Sequence, residues 1–182
     1  MSIRRRAVFF TGEESDARYG TDTTADERTL LVNFLRAQRA TLELKCAGLE
    51  RELDRRSVEP SALSLLGLVR HLTDVERRWF RRDLAGQDAA PLYATPDNPD
   101  QDFDGAVAEP GAVEEAWAAW RAEVRFAEEF VAGAADLDVE GHNSWLGTVS
   151  LRWVLVHMIE EYARHNGHAD LIRERIDGAV GL

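Results

Sequence analysis

Between His157 and His168 the chain reads His-Met-Ile-Glu-Glu-Tyr-Ala-Arg-His-Asn-Gly-His, with His157, Glu161 and His165 four apart and His168 three further on. Residues three and four apart share a helix face. At about 100° per residue the four positions fall within an arc of about 80°. The same arc carries Met158 and Tyr162 and runs on to Ala169 and Ile172, so it is the face that packs inward. Imidazoles and a carboxylate aimed at a core need partners to offset their lost hydration. A divalent metal satisfies them together, and it predicts a further ligand on another helix.

The rest of the chain supplies such helices. Apolar residues recur at helical spacing in four windows, and none shows sustained strand alternation. The first helix is predicted from Thr24, where Thr24-Ala-Asp-Glu27 reads as a capping box, to Gly48. Its inward stripe is Leu31, Phe34, Leu35, Gln38, Thr41, Leu42 and Lys45, and Leu49 to Arg56 reads as a short extra turn. The second runs from about Ser61 to Leu84, with Leu65, Leu68, Val69, Leu72, Val75, Trp79 and Phe80 buried. Its charges, Asp74, Glu76, Arg77, Arg78, Arg81 and Arg82, are placed on other faces. Pro91 to Pro110 reads as a long loop, Ala112 to Ala132 as a third helix and Gly133 to Gly147 as a connection. The fourth helix opens near Ser150 and stops at Asp177-Gly178. Four such helices fit an all-α four-helix bundle, whose core is where facing helices build metal sites. Residues 1–23 read as an N-terminal extension and 24–182 as the bundle domain.

A net charge of −11 argues against nucleic acid or an anionic membrane surface as partner. No apolar run approaches the roughly 20 residues that span a bilayer. The apolar run after Arg4-Arg5-Arg6 is too short for a signal peptide, so a cytoplasmic monomer or homodimer is expected. Cys46 is the one cysteine; it excludes an internal disulfide and a cysteine metal cluster, and it reads as a small buried hydrophobe.

Ligands at i and i+4 can grip one ion, whereas i+8 lies about 12 Å further along the axis. The usable pair is therefore His157–Glu161 or Glu161–His165. His71, beside Leu68, Leu72 and Val75, is the natural third ligand; His142 falls in a connection. Two histidines and one carboxylate suit zinc, with nickel or iron as alternatives, and an open coordination position makes such a site catalytic. The plainer alternative is that His157 and His168 are satisfied core histidines. Trp145, in the loop leading into the fourth helix, has the best placement among the tryptophans to touch a ligand, while Trp79, Trp117 and Trp120 read as core. Arg70, Arg78, Arg82, Arg152 and Arg164 read as solvated, the last two with some scope to meet an anion.

His71 on the second helix and Glu161-Tyr-Ala-Arg-His165-Asn-Gly-His168 on the fourth resemble the DinB/YfiT-like superfamily. That resemblance implies a four-helix bundle whose metal is held by one histidine on the second helix and two ligands four apart on the last. It selects His71, Glu161 and His165. Family members often read His-x-x-x-His-Arg-Gly-Gln; Glu161 here replaces the first histidine, as in the mycothiol-dependent maleylpyruvate isomerases, and His168 replaces the glutamine. Ser64 to Glu76 and Trp153 to Glu174 also resemble an actinobacterial branch of the superfamily. Those isomerases carry a further C-terminal domain, whereas this sequence closes at Leu182, so a thiol transfer other than that isomerisation is expected.

The resemblance thus implies a zinc-dependent transferase acting on a low-molecular-weight thiol, of mycothiol type, and a small electrophile. His168 is the expected catalytic residue, orienting the ligands or shuttling a proton. A metal-dependent hydrolase and a non-catalytic, stress-related metal-binding bundle are the alternatives.

Overall fold

A computed structural model describes residues 18, 22–49, 53, 61–107, 109 and 111–179. The N-terminal extension expected over residues 1–23 and the turn expected between Leu49 and Arg56 fall largely outside these residues. The described elements are α1 (Glu27–Cys46), α2 (Leu65–Glu76) continued by a π-helical stretch (Arg77–Leu84), a one-turn α3 (Gln101–Asp104), α4 (Ala112–Gly133), the strands β1 (Glu140–Asn143) and β2 (Gly147–Ser150), and α5 (Leu151–Asp177). The protein is therefore mostly helical. Among the described residues no helix is long and apolar enough to cross a membrane.

The helix boundaries follow from local chemistry. Ser64 and Ser150 cap α2 and α5, their hydroxyls accepting from the backbone N–H of Gly67 and Trp153. α5 ends at Gly178, whose φ of 79° is left-handed. The capping box expected at Thr24 does not form. Asp26 is the N-cap, accepting from Thr29 N at 3.1 Å, while Thr24 is held by Asp22. A carboxylate one turn ahead of a free N–H outcompetes the hydroxyl, because it also meets the helix dipole.

α1 packs on α5, and α2 packs on both α4 and α5. Leu35 and Leu42 of α1, Leu68 and Leu72 of α2, Ala127 of α4, and Val154, Met158 and Ile172 of α5 are fully or almost fully buried. α5 also grips α1 through polar groups. Asn166 Nδ2 donates to the carbonyl and side-chain oxygens of Gln38, Lys45 pairs with Asp170, and Arg173 donates to the last carbonyls of α1 at Leu44, Lys45 and Ala47. Leu44 O also accepts the N–H of the C-cap residue Ala47, and Arg173 supplies the further donors that close the helix end.

Two expected burial patterns are corrected. Phe34 is 59% exposed, and Arg39 takes an inward position instead. Glu76, expected on a solvated face, is fully buried. The two corrections share one cause. Arg39 Nε and Nη2 donate to both carboxylate oxygens of Glu76 at 2.8 and 2.7 Å. Tyr162 donates its hydroxyl to Glu76 Oε1 at 2.8 Å, and Trp120 Nε1 donates to the Tyr162 oxygen at 2.8 Å. One chain of hydrogen bonds thus joins α1, α2, α4 and α5. Burial is the largest single effect and disfavours the charged guanidinium, but the charges of Glu76, Tyr162 and Glu128 and the hydrogen bond to Glu76 together outweigh it and hold the Arg39 pKa above its ordinary value. Burial, then the charge of Glu76, pushes the Tyr162 phenol well up, so it remains a donor.

The connection before α5 contains a hairpin that the sequence reading missed. Its strands are only four residues each, and in each a single residue, Asn143 or Val149, is buried. That is too short to register as alternation. Asn143 organises the turn: its Oδ1 accepts from Trp145 N and Leu146 N, and its Nδ2 donates to Asp83 at 2.6 Å. The hairpin lies against the end of the π-helical stretch so closely that a Cβ on Gly141 would sit 2.1 Å from the Asp83 carbonyl oxygen.

Removing the carboxylate of Glu76 strands a buried arginine. Glu76→Ala is expected to lower the unfolding free energy by about 3–5 kcal/mol, and Tyr162→Phe, which unpairs the Trp120 indole N–H, by about 1–3 kcal/mol. Urea unfolding followed by circular dichroism measures both. A Glu76→Ala loss below that of Tyr162→Phe would contradict the central place of this carboxylate.

Candidate metal centre

α5 presents Glu161 and His165 one turn apart, and α2 presents His71 opposite them. One ligand atom from each of the three lies within 4.8 Å of the others. This is the constellation expected from the sequence. His165 Nε2 stands 3.5 Å from Glu161 Oε2, and the His71 and His165 rings meet at 4.7 Å between centroids. The side chains of His71, Glu161 and His165 are 24%, 16% and 10% exposed, so the cluster is open to a small molecule on one side. The hydrogen bond with His165 chiefly, then the charges of His165, Arg164 and His157, hold the Glu161 carboxyl below its usual range against the opposing effect of burial.

Of the two pairs that spacing left open, Glu161–His165 is the one that meets His71. His157 stays near, with Nε2 3.7 Å from Glu161 Oε1, but its ring is stacked on Trp153 at 4.9 Å and meets Trp79 edge-on at 4.8 Å. Burial, more than any charge, lowers its pKa and favours the neutral ring. His168 leaves the cluster itself and touches it from behind, its Nδ1 3.3 Å from His165 Nδ1. Its pKa is lowered by burial first, then by the charges of His165 and Arg164. His142 is exposed on β1, and Trp145 is 83% exposed at the hairpin tip, so neither belongs to the cluster. Arg164 pairs with Glu160 and Glu161, and Arg152 with Glu27 and Asp138.

The sequence reading missed Asp102. This buried carboxylate accepts from His71 Nδ1 at 2.7 Å. A histidine that donates through Nδ1 keeps its Nε2 lone pair free. The rest of the loop is built to deliver Asp102. Arg70 donates to the carbonyls of Gln101 and Gly105, and Asp74 accepts the backbone N–H groups of Leu92, Tyr93 and Ala94 at 2.6, 3.0 and 2.9 Å. Phe103 stacks on His71 at 4.8 Å, and a Cβ on Gly67 would stand 3.2 Å from that ring, so α3 needs Gly67 to settle on α2. Nothing in the sequence sets Asp102 apart from Asp97, Asp100 and Asp104, its neighbours in the acidic loop.

The donor set fits a divalent ion. Two imidazole nitrogens and a carboxylate oxygen suit zinc, nickel or iron, and the Asp102–His71 hydrogen bond is the outer contact that metal-binding histidines characteristically make. Three donors leave a fourth tetrahedral position open. Cys46 offers no competing nucleophile; it is buried on α1 and burial pushes its thiol up to about 12.

Asp102→Ala removes the partner of His71 without touching any of the three candidate ligands. Zinc affinity, measured by chelator competition, is expected to fall by about 10–100-fold. Unchanged affinity would mean that Asp102 only anchors its loop.

The mycothiol-S-transferase family model matches residues 30–178. No curated protein gave a match. The match spans all but the first three residues of α1, the other three long helices, the Asp102 loop and every residue of the cluster, and it agrees with the DinB/YfiT-like resemblance of the sequence; the chain belongs to the mycothiol-S-transferase family.

Proposed function

We propose that this protein is a metal-dependent S-transferase that joins a low-molecular-weight thiol of mycothiol type to a small electrophile. In this reading residues 24–182 form a four-helix bundle of DinB/YfiT type, and His71, Glu161 and His165 hold the ion, zinc by preference. A cytoplasmic location, where such thiols are kept reduced, belongs to the same reading. The convergence of those three side chains from α2 and α5, with Asp102 behind His71, carries the proposal.

A bound zinc ion supplies a Lewis acid that favours the thiolate of the cosubstrate over its thiol. The protein's own residues prepare the place for it. Glu161, kept ionised, contributes one negative charge; a thiolate contributes the second, so a doubly charged ion is neutralised in a partly buried site. Asp102 fixes the His71 tautomer that leaves Nε2 unprotonated. His168 would do the same for His165: with an ion in place of the Nε2 proton that faces Glu161, the remaining proton on His165 Nδ1 would donate to His168 across the 3.3 Å contact between the two Nδ1 atoms. His168 therefore serves the reaction through His165, as a positioning residue. The sulfur then attacks the electrophilic carbon, forming a C–S bond as a leaving group departs with its electron pair. With a conjugated alkene the adjacent carbon takes up a proton instead. The thiol proton passes to solvent. No nucleophilic side chain is required, since the cosubstrate brings the sulfur.

The zinc-loaded protein is expected to conjugate mycothiol to bimane-type or unsaturated electrophiles. His165→Ala should bind no metal and show no transfer. His168→Ala should keep its metal while kcat falls by about 10–100-fold, with KM for the thiol little changed. Retention of both metal and thiol transfer by His165→Ala would refute the mechanism. If no thiol is transferred to any of a broad electrophile set, metal-assisted hydrolysis takes its place.

A further inference from the structure

The candidate metal centre shares His71 with a second feature, a groove between α2 and the loop that carries Asp102. It encloses about 230 Å³. His71 lies at one end, Val75, Pro91 and Ala94 supply apolar walls, and Arg78 and Arg82 lie toward the other end. His71, Val75, Arg78 and Arg82 repeat at spacings of four, three and four, so they form one stripe along the helix.

The charge at the arginine end is unbalanced. Arg77, Arg78, Arg81 and Arg82 occupy about one and a half turns. Among the described residues their carboxylate partners are Glu123, which takes Arg77 and Arg81, and Asp83, which Arg78 and Arg82 share. Four guanidinium groups thus meet two carboxylates, both buried. Asp83 also accepts from Asn143, and the Arg78 contact with it is long, at 3.8 Å. The other acids on the groove are committed elsewhere. Asp74 accepts three backbone N–H groups, and Asp102 is bonded to His71. In a chain of net charge −11, the groove's own lining carries Arg77, Arg78 and Arg82 against Asp74 and Asp102, one positive charge in excess, with Arg78 and Arg82 gathered at one end. The side chains of Arg78 and Arg82 are 43% and 37% exposed, within reach of a ligand yet partly desolvated.

We propose that this groove binds the anionic end of the electrophilic cosubstrate, with Arg78 and Arg82 as the residues that select a carboxylate-bearing acceptor. This rests on the transferase reading for the acceptor's role, though not for the existence of the anion site. A small unsaturated or aromatic acid fits the volume. Its apolar body lies against Val75, Pro91 and Ala94, its carboxylate meets the forked donors of Arg78 and Arg82, and its reactive carbon is directed toward His71.

Calorimetric binding of cinnamate and of the neutral cinnamamide, without thiol, tests the site independently of turnover. Zinc-loaded wild-type protein should bind cinnamate at least about tenfold more tightly than cinnamamide. In Arg78→Gln that preference should shrink by about tenfold, Arg78→Lys should restore part of it, and zinc content and helicity should match wild type. Equal affinity of acid and amide for wild type, no cinnamate binding at millimolar concentration, or an undiminished preference in Arg78→Gln would each overturn the proposal. A parallel assay with mycothiol separates the two readings. Thiol transfer to acid and amide electrophiles alike retires the anion site and leaves the transferase. Preferential cinnamate binding without any thiol transfer retains the site and removes the transferase.

Discussion

Glu76 is the hinge of the fold's polar logic. A fully buried carboxylate is tolerable only when its charge is met and its lone pairs are filled. Arg39 and Tyr162 do both, and Trp120 extends the chain to a fourth helix. Apolar packing alone leaves a helix free to rotate among similar arrangements at modest energetic cost. A directional bond to Tyr162 does not. It sets the rotation of α5, and the next residue back along the chain is Glu161. Glu76 itself lies little more than a turn beyond His71. The same carboxylate therefore fixes the angular position of both helices that face each other across the His71, Glu161 and His165 cluster.

The loop between Pro91 and Gly105 continues that logic at the opposite edge of α2. Arg70 and Asp74 flank His71 in sequence, and both are spent on loop backbone rather than on solvent. The loop is consequently tied on either side of the histidine it serves, and Asp102 arrives at Nδ1 from a fixed direction. A histidine whose tautomer and plane are set in advance loses little freedom when it takes a ligand. His165 has a neighbour of the same kind within its own helix, His168, whose Nδ1 stands 3.3 Å from its Nδ1.

How much of this could be read from the sequence depended on whether the signal was periodic or pairwise. The four long helices and the inward face of α5 were legible, because burial of a helix stripe repeats every three to four residues. His71, Glu161 and His165 were legible for the same reason: each sits in or beside such a stripe, and the resemblance resolved which pair on α5 was used. Glu76 and Asp102 were not. A buried acid looks like a solvated one until its partner is known, and those partners lie 37, 86 and 31 residues away. Arg78 and Arg82 read as solvated, and their side chains are indeed 43% and 37% exposed. The Arg-Arg-Trp-Phe-Arg-Arg stretch holds two pairs four apart, so one pair turns to Glu123 on α4 while the other turns to Asp83 and the groove. Only the position of α4 tells the two pairs apart.

In this acidic chain the buried acids among the described residues are committed to other partners. Glu76 is closed by Arg39 and Tyr162, Glu123 by two arginines, Asp83 by Asn143 and arginine, Asp74 by backbone N–H groups and Asp102 by His71. Each of these carboxylates has donors rather than fellow acceptors around it, and a metal gains little from displacing them. Glu161 differs in kind. Apart from Arg164 at the rim, its neighbours are imidazoles, groups that can turn a lone pair toward the same point as its own oxygens. The cluster thus stands apart less by its own residues than by the satisfaction of the other buried acids.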